Sequence, residues 1–63
     1  MFVSIETLQS YEGSEVAVIT PKGELRGLLV EIRPTMITVR ATEGADLYSY
    51  TEIAISQIGS INR

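Results

Sequence analysis

The sequence predicts a mainly β fold, with a short N-terminal helix followed by a strongly bent, five-stranded antiparallel small barrel. Three observations carry this prediction. Beyond Gly13 the chain is dominated by Ile, Val and Thr, and no apolar pattern of helical period appears. Turn residues divide this region into runs of strand length. One of those runs, ELRGLLVEI, is long for so small a chain and carries Gly27 near its middle, where glycine marks a bend or a bulge. A five-stranded sheet closes on itself when one long strand bends sharply enough to pair at both ends.

The elements follow in order. Ser4 is a good helix N-cap, Glu6 complements the helix dipole in the first turn, and Ile5 and Leu8 share one face. Val3 and Leu8 stand where a hydrophobic staple would place them, and Gly13 follows Tyr11 and Glu12 as a left-handed stop. The helix is therefore expected over residues 4–12. Two turns are too few to hold in water alone, so the helix must lie on the sheet.

The first strand is expected at 15–20, EVAVIT. Thr20-Pro21-Lys22-Gly23 then makes a hairpin turn, with Pro at the second position and Gly at the fourth. The bent second strand spans 24–32 and the third spans 36–42. Between them Arg33-Pro34-Thr35 forms a tight exposed loop, because Pro34 has no N–H to give a ladder. EGAD, 43–46, is a loop, LYSYT, 47–51, a fourth strand, and IAISQI, 53–58, a fifth. The sequence contains no repeat or linker, so residues 1–63 read as one domain.

Composition narrows the function. A domain of 63 residues buries only about 60% of the surface its unfolded chain exposes, and the absence of Cys and His removes the usual disulfide and metal supplements. Hydrophobic residues are nonetheless 44% of the chain, more than so small an interior needs. Part of that apolar surface is expected to face another subunit. Eight acidic residues against five basic ones give a net charge of −3, the wrong sign for gripping phosphate backbones by bulk charge. No apolar run reaches the roughly 20 residues of a membrane span, and the lack of Cys fits the cytoplasm.

The order of helix, strand, T-P-K-G hairpin, glycine-bent strand, tight loop and short strands resembles the Sm-like family, which includes the LSm proteins and bacterial Hfq. Leu8, Gly13, Val16, Val18, Gly23, Leu25, Gly27, Leu29, Ile32, Met36 and Val39 fall where the first Sm signature wants an apolar residue or a glycine. Ala54, Ile55 and Ser56 are similar to the last-strand segment of Hfq. The resemblance implies subunits joined edge strand to edge strand into homo-oligomeric rings of about five to seven. It also implies contact with single-stranded RNA at the loop after the bent strand.

At that loop the sequence departs from the family. An acidic residue, a stacking aromatic or His, a Met and an Asn hold a uracil base in Sm proteins, and their places here are Arg33, Thr35, Met36 and Ile37. Met36 alone matches. The Lys-His turn of Hfq has Glu52 and Ile53 as its counterparts, and Gly59 matches the second Sm signature with no Arg before it.

The resemblance puts Arg33, Thr35 and Met36 at a ring's pore, with Arg40 on the third strand as a secondary RNA contact. One Arg per subunit would make a basic annulus that net charge conceals. The alternative for Arg33 and Arg40 is a solvated charge or an ion pair with Glu31, Glu52 or Asp46. Tyr48 and Tyr50 alternate along the fourth strand and, with Ile53 and Ile55, form the expected subunit interface, tyrosine being a good interface anchor, with stacking on bases as the alternative for the two rings. Gln9 stands near the place of a helix glutamine that Hfq uses, and is otherwise a solvent-facing residue. Catalysis is not expected, since general bases of the usual kind are missing. Glu43 and Asp46 read as solvated loop residues rather than as a metal site, so no cofactor, metal or small-molecule substrate is expected.

Overall fold

The computed structural model describes residues 4–44 and 47–63. Helix α1 spans Ile5–Tyr11, and five strands follow: β1 Glu15–Thr20, β2 Gly23–Ile32, β3 Met36–Ala41, β4 Tyr50–Ala54 and β5 Ser60–Asn62. A turn of 3-10 helix, Ile55–Gln57, separates β4 from β5. The strands form one antiparallel sheet in the order β4-β3-β2-β1-β5. Among the described residues no helix is long and apolar enough to cross a membrane.

Helix α1 begins as its sequence dictates. The Ser4 hydroxyl accepts from the Thr7 N–H at 3.1 Å, satisfying one of the donors that a helix start leaves open. Gly13 takes a φ of 83°, where a side chain would be strained, and its N–H donates to the Leu29 carbonyl at 2.8 Å. That bond ties the end of the helix to β2. Leu8 is fully buried and joins Val16, Val18, Leu29, Ile37, Val39, Ile53, Ile58 and Ile61 in one core.

Strand β2 has two halves with different partners. From Gly23 to Leu28 it pairs with β1, and from Gly27 to Ile32 with β3. Gly27 belongs to both ladders, opposite Val16 on one side and Ala41 on the other. A Cβ there would overlap the carbonyl oxygen of Arg40 and lie 2.8 Å from a Val39 methyl. The sheet folds over at the residue where only hydrogen fits. A register shift between Leu29 and Glu31 adds a bulge at Val30 and curls the second half further.

The C-terminal third differs from the expectation. Strand β4 starts at Tyr50, not at residue 47, and runs to Ala54, while the expected fifth strand at 53–58 is divided among the end of β4, the 3-10 turn and a link. Two backbone features cause this. Tyr48 has a φ of 70°, which interrupts an extended run at that point. The Ile55 N–H donates to the Thr35 carbonyl, still in register with the β3–β4 ladder, and the bond from the Ile58 N–H to the Ile55 carbonyl then turns the chain as it leaves β4. The Gly59 N–H then donates to the Ile19 carbonyl at 2.7 Å, bringing the chain alongside β1 as β5. Strands β4 and β5 end the sheet, and among the described residues they do not pair with each other.

Candidate binding site

The loop between β2 and β3 is exposed at Arg33, Pro34 and Thr35, and Met36 is half-buried where β3 begins. The Arg33 N–H donates to the Met36 carbonyl at 2.7 Å, which closes the turn. Its guanidinium reaches Glu31 through Nε at 2.5 Å and Glu52 through Nη1 at 3.2 Å. The Glu31 carboxylate, through its hydrogen bond and its charge, and Glu52 through its charge, hold the Arg33 guanidinium above its ordinary pKa. Glu52 is brought within reach because it sits opposite Thr38 in the β3–β4 ladder. Two carboxylates thus face one cation, and this corner carries a net negative charge.

Arg40 stands elsewhere, on the outward face of β3. Leu28 of β2 and Tyr50 of β4 are its cross-strand partners. Its guanidinium carbon lies 5.7 Å from the centre of the Tyr48 ring. The Nε of Arg40 is closed off from solvent and has no hydrogen-bond partner among the described residues. Tyr48 and Tyr50, by contrast, are 67% and 65% exposed. The structure therefore puts Arg33, Thr35 and Met36 at the loop and Arg40 with both tyrosines further along β3, while Tyr50 lines one cavity with Glu31, Arg33 and Glu52.

Ile53 is buried and Ile55 is half-buried against the same core, so these two side chains serve their own subunit. Gln9 is exposed on α1, and Glu43 is exposed after β3. Asp46, weighed above as an ion-pair partner and as a neighbour of Glu43, lies outside the described residues.

A further feature was not legible in the sequence. Beside β4 runs a groove of about 310 Å³, lined by Thr20, Lys22, Leu25, Thr51, Ile53 and Gln57. Thr51 sits opposite the buried Val39 in the β3–β4 ladder, yet it is exposed, because no strand covers β4 on its outer side. The alternation of LYSYT and IAISQI signals strands but does not say which strand is left at an edge.

A family model described as a domain of unknown function, DUF2642, matches residues 2–62. No curated protein and no solved structure matches the chain.

Proposed function

The chain belongs to the DUF2642 family, a domain of unknown function, and from its sheet edges we propose that it is a non-catalytic assembly module. Its copies join the outer edge of β4 to the outer edge of β5 in the next copy and close into a homo-oligomeric ring of Sm-like type. The observation that carries this reading is the pair of unpaired edges. Strands β4 and β5 each end the sheet with one side of the backbone open, and such edges invite a further strand unless they are covered. The two edges are different strands, so the contact is head to tail, the kind that closes into a ring when the rotation allows. The groove beside β4 gives an incoming strand an apolar surface to pack on, in the half-buried Leu25.

Single-stranded RNA bound at the β2–β3 loops around the ring's opening is the second reading. The exposure of Arg33 and the adjacent Met36 favour it. The two carboxylates already on Arg33 weigh against it, because a phosphate would have to displace them in a corner that is net negative.

Native mass spectrometry of protein purified without nuclease tests both. A closed ring free of nucleotide-mass adducts is the expected result, and a monomer at micromolar concentration would overturn the assembly reading. Adducts on the ring that disappear in Arg33→Ala would make RNA binding the better account. Thr51→Asp places a charge in the groove without touching the core, and it should disperse the ring while leaving the monomer folded.

A further inference from the structure

Tyr48 is the one non-glycine residue with a positive φ among the described residues. The local hydrogen bonds explain its conformation. The Tyr48 N–H donates to the Ala41 carbonyl, and the Ala41 N–H donates to the Ser49 carbonyl, each at 2.9 Å. Two residues thus oppose one across the end of the ladder, with the first in the left-handed region, which is the bulge position where glycine is the unstrained occupant. A tyrosine there costs backbone free energy that a glycine would not.

The ring so placed lies beside the Arg40 guanidinium, whose Nε–H is shut away from water without an acceptor among the described residues. Two unfavourable features meet at one spot, and neither serves the core. Arg40, Tyr48 and Tyr50 are all outside the buried cluster, and the two rings are the most exposed of the large apolar side chains. Backbone strain and unmet donors concentrate where a ligand completes the arrangement.

We propose that Arg40, Tyr48 and Tyr50 form a binding site for a carboxylate borne on a flat or apolar body, on the outward face of β3 and β4. With Nε closed off, the Nη end of the guanidinium is left to offer paired N–H groups to the two oxygens of a carboxylate, and the tyrosine rings take the body of the ligand. A carboxylate fits better than a phosphate chain because the protein itself is at −3, and each further negative charge on a ligand adds repulsion. Tyr50 lines one cavity with Glu31, Arg33 and Glu52, but the carboxylates near the site are engaged with partners other than Arg40. Glu15 accepts from the Thr42 hydroxyl at 2.8 Å, and Glu31 and Glu52 are held by Arg33.

The test follows the Nε–H resonance of each arginine by nitrogen-15 NMR in the full chain. The probes are benzoate, benzamide, the peptide acetyl-Phe-Asp-amide, inorganic phosphate and hexauridylate. Benzoate or the peptide should move the Arg40 signal and leave Arg33 in place, and benzamide should do neither. Arg40→Gln should abolish the effect. Tyr48→Gly keeps the fold, because glycine suits that backbone, and it should weaken binding by about threefold to tenfold. Tighter binding of the peptide assigns the carboxylate to a protein segment, and tighter binding of benzoate assigns it to a free small acid. The proposal falls if neither carboxylate moves Arg40, if benzamide binds as well as benzoate, if phosphate or hexauridylate binds more tightly than both carboxylates, or if Tyr48→Gly binds unchanged. It falls too if dilution or Asp46→Asn alone shifts the Arg40 signal, since the acceptor would then come from a second copy or from the chain itself.

Discussion

Gly27 shows how a single hydrogen atom decides the shape of this protein. Its position allows β2 to pass between β1 and β3 with the Arg40 carbonyl directly against its α-carbon. The atoms a methyl group would meet are mostly backbone, which cannot rotate aside. Gly27→Ala should therefore destabilise the fold by about 3 kcal/mol, against a total of only about 3–9 kcal/mol for a chain of this length. In a thermal melt the midpoint should fall by more than about 10 °C, and an unchanged midpoint would mean that the bend lies elsewhere. Glycine within a strand run is legible in sequence as a bend. The closeness of the opposing carbonyl is not, because it depends on which residue of β3 comes to lie there.

Among the elements, α1 depends most on its neighbours. It has seven residues, its cap is exposed, and Leu8 alone of its side chains is buried. Leu8→Ala should cost about 2–3 kcal/mol. The helical circular dichroism and the urea midpoint should drop together, since a helix this short does not persist once it is detached. Intact helical signal with a lowered midpoint would show that the Ser4 cap and the bond from Gly13 to Leu29 hold the helix without Leu8.

The strands differ in how much their sequence reveals. Strand β1 matches the expected 15–20 residue for residue, because Val16 and Val18 alternate with half-buried or exposed neighbours and turn residues bound the run. In the 53–58 run the alternation fails after Ile55, where Gln57 is exposed and Ile58 is buried, and the chain turns through the local bond from the Ile58 N–H to the Ile55 carbonyl. The spacing of Ile53, Ile55 and Ile58 passes from that of a strand to that of a turn, a signal too short to tell from a continuing strand.

For the whole molecule, the open edges and the lack of disulfide partners make concentration the natural source of extra stability. The melting midpoint should rise with protein concentration, as mass action requires of a fold stabilised by its own copies. A midpoint independent of concentration over two or more decades would argue for a self-sufficient monomer.

The same melts should be flat between about pH 6 and 8, because the chain has no His or Cys to titrate there. Arg33 does not alter this. Its pKa is raised in the folded state, so its contribution is fully present below the ordinary arginine range and is lost only above it. A stability change near neutral pH would point to a titrating group outside the described residues.

By itself the sequence determined the helix and its cap, the first three strands to within a residue at their ends, the bend at Gly27 and the residue types available for binding. These rest on local causes: capping chemistry, alternation of apolar residues, and the freedom of glycine. Tertiary structure decided the rest. It put Glu52 beside Arg33, left β4 and β5 as open edges, and set Tyr48 over Arg40 at a bulge made for glycine. Each of these joins residues far apart in the chain or on different strands, and such pairings exist only once the sheet has chosen its register.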